Sequence, residues 1–281
     1  KVTRVIYLDN AATTALSPAA IQAMTKTMTV FGNPSSTHSH GREASKLLRQ
    51  AREDIAQSLH TQSNKIIFTS GGTESNNTAI KGYALRHQNR GKHIVTTAIE
   101  HHAVLEVVEY LVDKFGFEAT FVQPVDGQIR AADIKKALRP DTILVSVMAV
   151  NNETGAMLPI KEIGELLHEH PAVFHVDAVQ AIGKLPIYPD ELGIDFLSAS
   201  AHKFHGPKGV GFLYAKKMDF DNFMHGGDQE EKHRAGTENL ISITGMAAAL
   251  SDSTEHLEEN LAHAQNLKNS LLADLSDIDF Y

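Results

Sequence analysis

Short apolar runs alternate with amphipathic stretches along most of the chain. The runs at residues 66–70, 93–97, 119–123, 143–150, 173–177, 196–200 and 210–214 read as seven strands. Helical spacing fills the intervals at 76–86, 103–115, 131–138 and 160–170, and returns at 239–252 and 254–275. Such alternation predicts an α/β fold, with right-handed helical crossovers joining parallel strands. The last two strands break the rule. Only nine residues lie between Ser200 and Val210, fewer than the dozen or so a parallel crossover needs, so the last strand is predicted to run antiparallel.

In a parallel sheet, ligands gather outside the carboxyl ends of the strands. Chemistry-bearing residues fall there. Lys203 follows the strand at 196–200 in Phe196-Leu-Ser-Ala-Ser-Ala-His-Lys203, with Gly206-Pro207 behind it. A solvated lysine, with a pKa of about 10.4, is a poor nucleophile, but a partly desolvated one can form an imine with an aldehyde cofactor. Asp177 closes the apolar strand Val173-Phe-His-Val-Asp177. It either caps the next helix or meets a cationic ring nitrogen. The strand at 66–70 runs through Gly71-Gly72 into a helix, which suits a phosphate at the helix N-terminus. The plainer reading there is a tight turn with Thr73 as the helix cap. No lysine follows the glycines and no G-x-G-x-x-G occurs, so neither a nucleotide P-loop nor a dinucleotide site is indicated.

Eight short segments in order resemble the cysteine desulfurases of the class V aminotransferase group. They are Tyr7-Leu-Asp-Asn-Ala-Ala-Thr-Thr14, Phe31-Gly-Asn-Pro-Ser-Ser36, Ser70-Gly-Gly-Thr-Glu-Ser75, Glu100-His-His-Ala-Val104, Val150-Asn-Asn-Glu153, His175-Val-Asp-Ala-Val-Gln180, Ser200-Ala-His-Lys203 with Gly206-Pro-Lys-Gly209, and Arg234-Ala-Gly-Thr237. The resemblance implies a type I, aspartate-aminotransferase-like fold and pyridoxal 5'-phosphate as cofactor. It also implies L-cysteine as substrate, a homodimer, and transfer of sulfur to an acceptor or iron–sulfur scaffold protein, or toward thiolated tRNA.

By the same resemblance Lys203 would bond the cofactor and, once displaced by substrate, move the Cα proton. Asp177 would pair with the pyridinium nitrogen and Gln180 with the phenolic oxygen. Gly72, Thr73, Ser200 and His202 would hold the phosphate, and Thr237 would reach the phosphate of a neighbouring subunit's site. His101 would stack over the ring, and Asn152 would lie near the ring and the substrate carboxylate. His102 is expected to be a polar first-turn residue. His175 shares a strand face with Asp177, which by itself admits a metal, but no further ligands stand at recognisable spacing. His168 and His170, and the charged run at 228–233, are expected to be solvated.

One departure stands against these matches. A desulfurase needs a thiolate, and the sequence contains no cysteine. The reading expects that the family's C-terminal part, with that thiol and a carboxylate-binding arginine, is missing from these 281 residues. On this view residues 12–255 form a large cofactor-binding domain, and 1–11 with 256–281 part of an incomplete small domain. Two alternatives use the same residues: another type I pyridoxal-phosphate lyase or aminotransferase, or a cofactor-binding but inactive chain. The net charge of −8, with no basic stripe, argues against nucleic acid. No signal peptide or membrane span is indicated, and a cytoplasmic location is expected.

Overall fold

The computed structural model describes residues 5–276 and 278. The remaining residues, 1–4, 277 and 279–281, belong to the expected smaller domain and lie outside the described residues. The elements run α1 (Pro18–Thr27), α2 (Ser39–Ser58), β1 (Ile66–Thr69), α3 (Gly72–His87), β2 (His93–Thr97), α4 (His102–Phe115), β3 (Glu118–Val122) and α5 (Ala131–Ala137). There follow β4 (Thr142–Met148), α6 (Ile160–Leu167), β5 (Val173–Asp177), β6 (Phe196–Ser200), β7 (Gly211–Ala215), α7 (Leu240–Glu255) and α8 (Leu257–Leu275).

The seven strands make one sheet in the order β1-β7-β6-β5-β4-β2-β3. Strand β7 is antiparallel to both neighbours, with Ser198 opposite Leu213 and Phe68 opposite Phe212; every other pair is parallel. The short link before β7 forces this reversal, as expected. Because β7 is antiparallel to both β1 and β6, those two share a direction, and the carboxyl ends of β1, β2, β4, β5 and β6 all open on one edge.

Apolar side chains cover both faces of the sheet. On one, Ile55 of α2, Ile163 of α6 and Leu250 of α7 pack with Val145, Val147 and Val176; on the other, Ile80 of α3 and Val108 of α4 pack with Ile94, Leu144 and Leu213. Burial on both faces explains why the strands read as continuous apolar runs. The sequence reading places no helix before residue 66. Helix α1 is nevertheless well specified, since Ser17 caps it by accepting from the Ala20 N–H at 3.1 Å and Pro18 opens its first turn. Helix α2 buries only a narrow stripe, including Leu48 and Ile55, and the rest of it is polar, which masked it as an apolar signal.

Three expectations need correction. Helix α3 begins at Gly72 with Gly71 in the cap position, so Thr73 is inside the helix and not its cap. The run at 228–233 is not wholly solvated: Glu230 is 7% exposed and bonded by both ends of the Arg52 guanidinium, at 2.6 and 2.7 Å. The physical reason is that a buried carboxylate is tolerated where a fork of charged donors meets it. His168 is exposed as expected. His170 is half-buried, its Nδ1 accepting from the Ala172 N–H and its Nε2 facing the Arg139 carbonyl.

Candidate functional site

A cavity of about 360 Å³ opens at the carboxyl edge of the sheet, a volume within the range of small-molecule sites. Five of the strand ends deliver different chemical groups to it. Gly72 and Thr73 come from the turn after β1, His101 from the link after β2, Met148 and Asn152 from the end of β4 and beyond it, Asp177 and Gln180 from the end of β5, and Ser200, His202 and Lys203 from the end of β6.

The turn after β1 is shaped by two glycines. Gly71 has φ +147°, a region that side-chain-bearing residues rarely adopt, and a Cβ on Gly72 would lie 2.6 Å from Val179 Cγ2. Ser75 is the first residue of α3 to bond back into the turn, to the Gly71 carbonyl at 3.1 Å. The N–H groups of the first turn before it point outward at the positive end of the helix, a place for an anion. Ser200 and His202 stand beside that turn, and burial together with the Lys203 and Lys208 charges pushes the His202 imidazole pKa down.

Asp177 is 5% exposed. Its Oδ2 accepts from Asn76 Nδ2 at 2.8 Å and its Oδ1 from the Val179 N–H at 3.1 Å. No helix stands between β5 and β6, so Asp177 caps a turn and not the helix that the plainer reading expected, and it borders the cavity. Burial raises its pKa against these two hydrogen bonds, with the His101 and Lys203 charges also opposing it, and among the described residues it forms no salt bridge. The Oδ1 atom of Asn76 is buried without a partner.

Lys203 Nζ donates to the carbonyls of Ala11 at 2.5 Å and Ala12 at 2.8 Å. Burial lowers its pKa, with Asp9 and Asp177 pulling the other way. Gln180 Nε2 donates to the same Ala11 carbonyl at 2.8 Å. His101 is exposed at the cavity mouth and caps α4, its Nδ1 accepting from the Ala103 N–H at 3.0 Å. His102, also exposed, is the first residue of α4. Asn152 donates to Glu153 at 2.7 Å.

Of the residues that the resemblance assigns to the cofactor, only Thr237 lies elsewhere: it is exposed and lines a separate cavity of about 200 Å³ with Arg234 and Glu238. Arg234 reaches back to bind Glu74 through Nε at 2.8 Å, and Glu74 accepts from the Ser70 N–H, so this pair braces the turn after β1 from behind. His175 sits between Ser146 Oγ at 2.8 Å and Ser198 Oγ at 2.9 Å, and burial pushes its pKa down to about 3, so it is a neutral core residue.

Two polar residues at the site have no role in the sequence reading. Asn76 could be inferred only from helical spacing, four residues beyond Gly72. Glu100 is more telling. Its Oε1 accepts from Thr97 Oγ1 at 2.7 Å and from the Met148 N–H at 3.0 Å, while Oε2 is buried without a partner. Burial, with the Asp177 charge adding to it, pushes its pKa up to about 8. Its sequence signals are a carboxylate three residues past an apolar strand and its place at the head of the Glu100-His-His-Ala-Val104 segment, to which the sequence reading attaches no role.

The arrangement offers an anion cradle, a buried carboxylate and a partly desolvated amine around one space, with an imidazole at its mouth. Residues 6–281 match the family model for aminotransferase class-V. The chain is 48% identical over 276 residues to the cysteine desulfurase IscS of Dictyoglomus turgidum, covering 97% of this chain and 70% of that protein. A solved structure described as a NifS-like protein superposes with a TM-score of 0.93 at 39% identity, covering 98% of this chain and 76% of that one. Another, described as SspA in complex with cysteine, gives 0.85 at 38% identity, with coverages of 90% and 73%.

Proposed function

Since the chain belongs to the class-V aminotransferase family, we propose that it works as a pyridoxal-phosphate-dependent cysteine desulfurase, removing sulfur from L-cysteine and leaving L-alanine. The observation that carries this reading is the meeting of Lys203, Asp177 and the Gly72-Thr73 turn in one cavity. The relatives' names support the reaction, and the SspA complex supports cysteine as the substrate.

The residues fit the cofactor. A buried carboxylate without a cationic partner is costly, and a protonated ring nitrogen would supply one to Asp177. A phosphate dianion needs several donors, which the first turn of α3 provides, and the absence of a Cβ at Gly72 lets Val179 pack close against that turn. Bound pyridoxal phosphate supplies an electron sink for charge developing at the substrate Cα. Asp177 would hold a negative charge against the ring nitrogen. Gly72, Thr73, Ser200 and His202 would hold the phosphate, Gln180 would donate to the ring oxygen, and the His101 imidazole would cover the ring. Asn152 would orient the substrate carboxylate. Lys203 Nζ would hold the cofactor and, when free, would take and return the proton at Cα; its lowered pKa favours the neutral amine this needs.

The thiolate that accepts the sulfur is not among these 281 residues, which include no cysteine. We assign it to a group outside them, and the sulfur to an acceptor or scaffold protein serving iron–sulfur clusters or tRNA thiolation. We further propose a homodimer in which exposed Thr237 serves the other subunit's phosphate. Residues 12–255 would be the cofactor-binding body and 1–11 with 256–281 part of a smaller unit; α8, with no buried residue, supports that division. Among the described residues no helix is long and apolar enough to cross a membrane, and we place the protein in the cytoplasm.

The test is to load the protein with pyridoxal phosphate and L-cysteine and to measure alanine with and without an added thiol. Alanine formed only with thiol, and lost by roughly 10⁴-fold or more in Lys203→Ala, is the expected result. Equal rates in Lys203→Ala would sink the lysine assignment, and alanine formed without any thiol would favour a thiol-independent lyase.

A further inference from the structure

A glutamine amide can present either its oxygen or its NH₂ to a ligand, and the two ends make opposite hydrogen bonds. At Gln180 the choice is already made by two neighbours. Lys184 Nζ donates to Gln180 Oε1 at 3.0 Å. An ammonium has only donors, so the oxygen must face it. The Ala11 carbonyl has only an acceptor, and Gln180 Nε2 faces it at 2.8 Å.

The local backbone makes the contact possible. After Asp177 the chain turns tightly, with the Ala181 and Ile182 N–H groups bonding the Ala178 carbonyl and the Lys184 N–H bonding the Ala181 carbonyl. Lys184 thus comes round four residues after Gln180, the spacing at which side chains on a helical turn meet. Lys184 is half-buried and does not line the cavity. We propose, resting on the cofactor site assigned above, that Lys184 is a positioning residue whose ammonium fixes the Gln180 amide so that its NH₂ end meets the cofactor's ring oxygen.

The same ammonium bears on Lys203. Burial, and then the Lys203 charge, push the Lys184 pKa down to about 8, and Lys184 contributes in turn to lowering the His202 pKa. The charged and titratable groups around Lys203 are Asp9 from the N-terminal segment, Asp177 from β5, His202 beside it in the chain, and Lys184 from the turn after β5. The two carboxylates favour the charged amine at 203, and the Lys203 charge favours the neutral amine at 184. Donation by Gln180 to the ring oxygen and the positive charge of Lys184 both favour loss of a proton from the lysine-bound cofactor, so their effects on its titration have one sign.

The experiment is a visible-absorption titration of the full chain loaded with pyridoxal phosphate, for wild type, Lys184→Met and Lys184→Arg, with Lys203→Ala as control. Replacement by Met is expected to raise the midpoint of the visible band by about half a unit or more, and Arg, a charged donor, to restore it toward wild type. Where the Met variant fails to fold, neutral and polar Lys184→Gln replaces it. A normal band with an unmoved midpoint in the neutral variants overturns the role of Lys184 alone. A wild-type protein with no band beyond that of Lys203→Ala overturns the site assignment, and the role of Lys184 with it.

Discussion

Two buried carboxylates show how similar burial can serve different ends. Glu230 and Asp177 are 7% and 5% exposed. Glu230 is satisfied on every side: Arg52 meets both of its oxygens, and the Phe68 N–H donates to Oε2 at 2.9 Å. Asp177 has one neutral amide and one backbone N–H, no ion pair among the described residues, and an opening beside it. The first closes a loop onto the sheet edge. The second keeps an unmet electrostatic demand where a ligand can enter, which is how a site differs from a brace.

Replacing each carboxylate should separate the two roles. In Asp177→Asn the shape persists and the charge is lost. Turnover of L-cysteine is expected to fall on the order of 10²–10³-fold, while the thermal midpoint holds or rises because a desolvated charge has gone. A drop in stability with activity intact would erase the distinction. In Glu230→Ala the Arg52 guanidinium loses its partner in a half-buried place, and a loss of about 3 kcal/mol is expected in urea unfolding. Stability equal to wild type would show that the pair is not a brace.

Glu100 sharpens the contrast, because it is buried without a cation, like Asp177, yet does not line the cavity. Its pKa is raised from the ordinary 4.5 to about 8, so between those values the folded protein holds a proton that the unfolded chain has released. Its contribution is therefore full below about pH 4.5, declines as pH rises, and is lost above about 8. Glu100→Gln removes this dependence, and the difference in unfolding free energy between pH 6 and pH 9 should shrink by about 1–3 kcal/mol. An unchanged pH slope would show that Glu100 does not hold that proton. The smallest effect is expected at Arg86, which pairs with Asp219 and Asp221 in the open. Arg86→Ala should change stability by less than about 0.5 kcal/mol; a loss as large as that of Glu230→Ala would mean that exposure does not separate these pairs.

Much of this was legible in the residues. The seven strands and the reversal of β7 followed from apolar runs and link lengths, and several cavity residues from what stands just past the strands, while His101 and Gln180 came from the family resemblance. The misses have physical causes. Helix α2 hides a narrow buried stripe among charges. Glu230 looks like surface until Arg52, 178 residues away in sequence, is seen to reach it. The cap of α3 is Gly71, whose φ no composition rule predicts.

Local chemistry, then, is what the sequence by itself determined: element types, the direction of β7, an amine, a carboxylate and a phosphate-sized turn, because each depends on neighbours within a few residues. The tertiary structure alone decided which carboxylate is neutralised and which is left waiting. It also decided which end of Gln180 meets Lys184 and which meets the Ala11 carbonyl, and that among the described residues Glu100 has no cationic partner. Hydrogen bonding and desolvation at a buried group are set by atoms that chain folding brings from distant positions, and no local pattern encodes them.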